Sequence, residues 1–199
     1  MISAIVLAAG ESRRMGTQKL LMPWGEKKVL EHVISTFSSA GLDEILVVTG
    51  SHRGEIEKIV SAVKAKCRVR SVFNKEFSTG EMLSSIHCGL RELGKGRSTA
   101  ALIALGDQPQ VRQGSVRTLC EYFRQCGGPL VVPSFRMRRG HPWLVERLLW
   151  GEILGLRAPH TPRDFLSKNS DLIRYVEVND PGILVDFDTP EDYEAARKQ

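Results

Sequence analysis

Ile2-Ser3-Ala4-Ile5-Val6-Leu7-Ala8-Ala9-Gly10-Glu11-Ser12-Arg13-Arg14-Met15-Gly16-Thr17-Gln18-Lys19-Leu20 is the stretch on which the reading of the fold turns. The apolar run is far shorter than the ~20 residues of a membrane span, and it lacks the polar alternation of a half-exposed strand. Ile2 to Leu7 therefore reads as a strand buried on both faces, the kind found in parallel sheets with helices on either side. Ala8, Ala9 and Gly10 carry almost no side chain, so at the C-terminal edge of a sheet they let a phosphate approach the main chain closely. Arg14 and Lys19 add mobile positive charge suited to a polyphosphate. Neither the P-loop pattern GxxxxGK[ST] nor the dinucleotide pattern GxGxxG is present. On the residues alone, a tight turn followed by surface basic side chains accounts for the same letters.

Outward from this stretch, short apolar runs alternate with amphipathic ones, the mark of βα units on a largely parallel sheet. Val29 to Ala40 reads as a helix with Leu30, Val33, Ile34 and Phe37 on one face and Gly41 as its stop; Glu44 to Thr49 is the next strand. Glu55 to Lys64 has helical spacing, Arg68 to Phe73 is a strand, and Glu81 to Leu93 is a helix closed by Gly94. Thr99 to Leu105 is a buried strand, Gly114 to Gln125 a helix, and Pro129 to Pro133 a strand flanked by prolines. Between Arg136 and Ser170 the pattern loosens into Pro, Gly, Arg and His, and supports only a short strand at Trp143 to Val145 and a helix at Pro162 to Lys168. Such loops commonly carry sites. Leu172 to Val178 returns to strand character, and Pro190 to Lys198 is a C-terminal helix with Thr189 as its N-cap. The class is α/β, in a single domain over 1–199, and no linker or repeat divides it.

Composition agrees. The chain has 199 residues, 42% hydrophobic and 26% charged, as in an ordinary globular domain. At this length roughly 70% of the unfolded surface is buried, so no metal or crosslink is needed for stability. The net charge of +5 favours anionic ligands. Nucleic acid is a poor match, because the basic residues are dispersed and no recognition motif accompanies them. Cys67, Cys88, Cys120 and Cys126 form no CxxC pair and read as four small buried hydrophobes. The N-terminus has no basic leader and no span follows, which points to a cytoplasmic protein without membrane contact.

Three carboxylates stand where a metal could be held. Asp107, in Gly106-Asp107-Gln108-Pro109, follows a central strand on the same edge as the glycine loop; a turn or helix cap explains it equally well. Asp186 and Asp188, in Val185-Asp186-Phe187-Asp188-Thr189, alternate along a strand-like stretch and would share a face. Glu191 and Asp192 fall in a first helical turn, where the helix dipole suffices to explain them.

The pattern LAAGxSxRMGxxKL, met by Leu7, Ala8, Ala9, Gly10, Ser12, Arg14, Met15, Gly16, Lys19 and Leu20, resembles the signature of nucleotidyltransferases with a GT-A-like, Rossmann-like three-layer fold. GDQP and DFDTPEDY narrow the likeness to the molybdenum cofactor cytidylyltransferases and their MocA-like relatives. The resemblance covers nearly the whole chain. It implies a mostly parallel central sheet and transfer of CMP from CTP to molybdopterin, with pyrophosphate released. It also implies Mg²⁺, or Mn²⁺ in its place, held by Asp107 and Asp188 with Asp186 as a neighbour. Arg14 and Lys19 would steady the leaving pyrophosphate and, with Asp107, form the catalytic set. Leu7, Ala8, Ala9, Gly10, Gly106 and Asp107 would line the nucleotide, and Gly80, Ser84 and Ser85 match the family's base-contacting stretch. The LAAG and GDQP letters favour CTP over GTP. Arg138-Arg139-Gly140-His141-Pro142 resembles a segment near the acceptor, so Gln108, Arg139, Gly140, His141 and Arg163 are the expected acceptor contacts. Where the family has a Gly-Ala-Arg stretch, this chain has Ala158-Pro159-His160-Thr161-Pro162-Arg163, of which Arg163 alone matches. A molybdenum hydroxylase is the implied recipient of the product. The rival readings are a relative acting on a sugar phosphate, another phosphorylated acceptor or GTP, and a cofactor carrier that performs no chemistry.

Overall fold

Ile2–Ala8 forms the expected strand, β1, at the heart of the main sheet in a computed structural model that describes residues 1–12, 15–186 and 189–197. Arg14 and Asp188, which the resemblance implicates, lie outside the described residues. Two short strands, β2 (Pro23–Trp24) and β3 (Lys27–Lys28), pair as a separate ribbon. They lead into α1 (Val29–Ser38), β4 (Glu44–Thr49), α2 (Arg53–Ala62), β5 (Arg68–Phe73), α3 (Glu81–Gly94), β6 (Ala100–Leu105) and α4 (Gln113–Cys126). β7 (Leu130–Phe135), β8 (Arg138–Arg139), β9 (Trp143–Glu146), α5 (Trp150–Gly155), α6 (Pro162–Lys168), β10 (Ile173–Glu177) and α7 (Pro190–Arg197) complete the chain. The class is the α/β one expected.

Among the described residues the sheet runs β10-β7-β9-β6-β1-β4-β5, with β8 attached to β7. β1 pairs in parallel with β4 and β6, β4 with β5, and β10 with β7. Along that row β9 alone runs against its neighbours, inserted between β6 and β7. The C-terminal ends of β1, β4, β5 and β6 therefore open on one edge, where an α/β sheet binds its ligands.

The period-2 geometry of a strand sorts the apolar residues onto two faces. Ala4, Val6, Ile45 and Val47 pack with Leu30 and Phe37 of α1, Ile56 of α2 and Leu119 of α4. Ile5, Leu46 and Val48 face the other way, toward Ile86 and Leu90 of α3, Trp150 of α5 and Phe165 of α6. Both faces are covered, which is why β1 reads as a continuous apolar run. β4 and β5 are anchored to a third element by charge: the Arg70 guanidinium of β5 joins Glu44 of β4 at 2.7 Å and Glu92 of α3 at 2.6 Å. Hydrogen bonding to Lys95 and Arg70 holds the Glu92 carboxyl below its ordinary range.

Four sequence expectations need correction. α2 starts at Arg53 rather than Glu55 and ends at Ala62 rather than Lys64, because its first turn needs no apolar residue. The irregular segment holds more order than its composition promised, namely β8, a 3-10 turn at Arg147–Leu149 and α5. Val185 and Asp186 do not lie on a strand; they follow a 3-10 turn at Pro181–Leu184 as irregular backbone, so no strand alternation sets the direction of Asp186. Of the four cysteines Cys120 alone is fully buried, Cys67 and Cys88 are half-buried and Cys126 is exposed. Burial pushes the Cys120 thiol up to about 11. The N-cap of α7 is as expected: the Asp192 amide donates to the Thr189 hydroxyl, while Thr189 N–H donates back to the Asp192 carboxylate. Among the described residues no helix is long and apolar enough to cross a membrane.

Candidate active site

A cleft of about 260 Å³ opens over the ends of β1 and β6, lined by Leu7, Ala9, Gly10, Ser12, Gln18 and Leu20 from the first segment. Phe77, Glu81, Met82 and Ser85 close its far wall, and Leu105 and Asp107 its floor. Two glycines make this possible by close approach. A Cβ on Gly106 would lie 2.7 Å from the Leu7 carbonyl oxygen, and one on Gly50 would collide with that of Ala9. Ala8 is buried beneath the cleft, in the strand itself.

The loop after β1 is braced by side chains. Ser12, at φ +51°, donates its hydroxyl to Gln18 Oε1 at 2.6 Å and accepts from the Lys19 amide at 3.2 Å. Gln18 Nε2 donates to the Gly10 carbonyl at 2.9 Å and lies 3.0 Å from His52 Nδ1. The Ser51 hydroxyl donates to the same Gly10 carbonyl at 3.1 Å. Gln18 is 8% exposed, so its amide spends its hydrogen-bonding capacity on this loop. Gln18, Ser51 and His52 went unnoticed in the sequence, since the last two arrive from the far end of β4.

Lys19 Nζ stands 3.7 Å from Asp107 Oδ2, with the lysine side chain 8% exposed and the aspartate 38%. Lys19 opens a 3-10 turn at Lys19–Leu21 and Asp107 sits on the turn after β6, and β1 and β6 bring them together by parallel pairing. Both groups make further interactions.

The stretch from Gly80 divides its roles. Ser85 reaches the first cleft, whereas Ser84 is held in the protein by Asn74 Nδ2 at 2.8 Å and by its own donation to the Glu81 carbonyl at 3.0 Å. A Cβ on Gly80 would collide with the Ser84 side chain. Glu81 adopts φ +48° at the start of α3, a left-handed conformation costly for a side chain with a Cβ, and it faces the cleft. Behind it lies a second hollow, of about 460 Å³, between α3 and the Leu156–Pro162 segment.

A further cleft of about 290 Å³ adjoins the end of β6 on its other side. Gln108, Arg139, Gly140, His141 and Arg163 all line it, joined by Arg138, Trp143 and Asp186. All five expected acceptor contacts thus converge on one cavity from three separate segments. His141 stacks on Trp143 with ring centroids 4.5 Å apart, and its Nε2 is shielded from water without a hydrogen-bond partner. Burial drives the His141 imidazole down to about 4, against the opposing pull of Asp186 and with Arg163 adding to the depression, so it is neutral at pH 7. Gln108, 4% exposed, donates to Asp186 Oδ1 at 2.7 Å and to the Val185 carbonyl at 3.2 Å.

Among the described residues no group of three or more His, Cys, Asp or Glu side chains gathers as a preformed metal cage. Mg²⁺ does not require one, because it takes one or two carboxylates and completes its shell with water and phosphate oxygens. Asp107 on the floor of the first cleft and Asp186 in the second are hard oxygen donors of that kind.

The model of the MobA-like NTP transferase domain matches residues 4–173. Purine catabolism protein PucB of Bacillus subtilis is 27% identical over 200 residues, covering 98% of this chain and 95% of that protein. Molybdenum cofactor cytidylyltransferase of Escherichia coli is 23% identical over 198 residues, covering 100% of this chain and 96% of that one. A solved nucleotidyl transferase from Methanothermobacter superposes with a TM-score of 0.81 at 27% identity, over 100% of this chain and 96% of its own.

Proposed function

The chain belongs to the MobA-like NTP transferase domain family and is a nucleotidyltransferase, and from that premise we propose that it transfers CMP from CTP to molybdenum-loaded molybdopterin, releasing pyrophosphate. The observation that carries the reading is the pairing of two clefts across one turn. Asp107 faces a cleft walled by small residues, and Gln108, the next residue, faces one ringed by Arg138, Arg139 and Arg163.

The first cleft suits a nucleotide whose triphosphate lies along Ala9 and Gly10, where main-chain groups can approach it. Lys19 and Arg14 would bear on the departing pyrophosphate. Ser85 is placed to meet the base, with Gly80 and Ser84 shaping the turn behind it. Asp107, with Asp186 and Asp188 as further oxygen donors, would hold Mg²⁺, or Mn²⁺ in its place. When bound, the ion supplies neutralisation of triphosphate charge.

In the second cleft Arg139 and Arg163 present guanidinium forks to the acceptor's terminal phosphate. A phosphate monoester has its second pKa near ~6, so it is a nucleophile at neutral pH without a general base. Neutral His141 then serves as a hydrogen-bonding contact for the acceptor, stacked on Trp143. Attack of the phosphate oxygen on the α-phosphorus, in line with pyrophosphate, forms one P–O bond as the other breaks. Positioning and charge neutralisation supply most of the rate.

Pyrophosphate release with Mg²⁺ and molybdenum-loaded molybdopterin, compared across CTP, GTP, ATP and UTP, tests this. Selective release with CTP is expected. Release with another nucleotide would reject the base assignment, and release only with a sugar phosphate would replace the acceptor. Cofactor binding without pyrophosphate release would make the protein a carrier. The expected downstream partner is a molybdenum hydroxylase, and transfer of the product to such an enzyme is the corresponding assay.

A further inference from the structure

Two side-chain amides from one short stretch converge on a single carbonyl. Gln108 Nε2 donates to the Val185 carbonyl at 3.2 Å, and Gln110 Nε2 donates to the same oxygen. Gln108 also donates to Asp186 Oδ1 at 2.7 Å, so both of its N–H bonds are committed within the protein. These contacts join residues 75 to 78 apart in the chain. They tie the segment at 183–186 to the turn that follows β6.

The same segment is fixed from other sides. The His141 amide donates to the Ile183 carbonyl at 3.0 Å, and a Cβ on Gly140 would collide with that carbonyl. Upstream, buried Asp180 accepts from the Arg112 amide at 2.9 Å and the Ser115 hydroxyl at 2.7 Å. The glutamines differ from these anchors in their location. Gln108 directly follows Asp107 of the nucleotide cleft and itself lines the acceptor cleft, as does Asp186.

We propose that Gln108 and Gln110 form a positioning clamp, which holds the Asp186 segment against the end of β6 and so sets the distance between nucleotide and acceptor. Gln108 is then a positioning residue acting through Asp186 and Val185, rather than a substrate contact. The inference deepens the two-cleft reading given above and rests on it. In-line transfer depends steeply on the alignment of the reacting groups, so a loosened segment slows transfer while leaving nucleotide capture intact.

The test combines backbone hydrogen exchange with steady-state kinetics on the full chain. The Ile183 amide bonds to the Asp180 carbonyl at 3.4 Å and the Val185 amide to that of Gly182 at 3.3 Å, which makes both usable reporters. For Gln108→Leu, exchange at these two amides is expected to accelerate about tenfold, with β1 and β6 unchanged. The kcat should fall about tenfold, while the KM for the nucleotide stays within about twofold. Gln110→Leu should accelerate exchange with a smaller loss of kcat, since it does not touch Asp186. Gln108→Glu, which keeps the side chain's shape but removes the donors, serves if the leucine variant fails to fold. Unchanged exchange at both reporters would overturn the clamp, as would faster exchange with wild-type kcat. A wild-type protein silent with every nucleotide would sink the functional reading, and the exchange rates would still decide the clamp.

Discussion

Lys19 Nζ lies 3.7 Å from Asp107 Oδ2, the carboxylate that lines the cleft over β1 and β6. The ammonium is nearly buried and the carboxylate partly exposed, so the two opposite charges form an ion pair beside a cleft otherwise lined by Leu7, Leu20 and Leu105. On the proposed reading a triphosphate entering there would meet a lysine already held in place.

Asp107→Ala should abolish transfer while the fold survives, because the carboxylate is an edge group outside both packed cores. A loss of at least about a hundredfold in kcat is expected, in line with removal of one preorganised charge. Pyrophosphate release and far-ultraviolet circular dichroism check it together; a folded variant with normal turnover removes Asp107 from the metal site.

Gln18→Ala should raise the KM for the nucleotide about tenfold with a smaller effect on kcat. The amide bridges the Gly10 carbonyl and Ser12, and its loss frees the loop that must be ordered to receive a phosphate. Nucleotide titration by isothermal calorimetry reads the change directly, and an unaltered affinity would show that the loop is held without it.

Gly50→Ala should disturb the same loop from beneath. The added methyl would collide with the Ala9 carbonyl oxygen, so β1 or the turn after β4 must shift. A destabilisation of about 1–3 kcal/mol is expected, the usual range for overpacking, together with weaker nucleotide binding. Urea unfolding measures the first, and an undiminished midpoint would contradict the close approach.

Stability should fall as the pH drops from about 6.5 toward 4. Burial lowers the imidazole of His141 to about 4 and also lowers that of His87, whose ring bonds the Ile153 carbonyl at 2.8 Å. Folded histidines thus stay neutral where unfolded ones, near ~6.5, take up protons, so stability is complete above that value and lost below it. His141 alone contributes a slope of at most about 1.4 kcal/mol per pH unit in that window. Urea midpoints at pH 7.5, 6 and 5 test it: His141→Asn should flatten the curve, and an identical slope in the variant would refute the assignment.

The sequence makes the central strands legible because burial on both faces leaves continuous apolar runs, as at Glu44–Thr49, bounded to the residue. The edge strand Arg68–Phe73, exposed or half-buried throughout, is legible instead from its β-branched and aromatic residues between flanking helices. The grouping of Arg139, His141 and Arg163 was legible as well, since resemblance gathered them and they line one cavity. What stayed hidden depends on long-range pairing. His52 bracing Gln18 and Gln108 holding Asp186 join residues 34 and 78 apart, which leave no local period to read. Asp186 misled the strand reading because two aspartates flanking Phe187 mimic alternation, whereas the backbone around Asp186 is set by amides from elsewhere.

The reversed strand β9 has one more effect. It enters between β6 and β7 and so divides the sheet into a half ending at β6, with the glycine loop, and a half beyond it, with the β7–β8 hairpin. Arg138 and Arg139 belong to the outer half, and among the described residues the side-chain bonds that brace the glycine loop come from the inner one. If the two clefts hold acceptor and donor as proposed, substitution, insertion or drift in the outer half would change which molecule receives the nucleotide without touching how the nucleotide is gripped, and acceptor preference would evolve at separate loci from donor recognition.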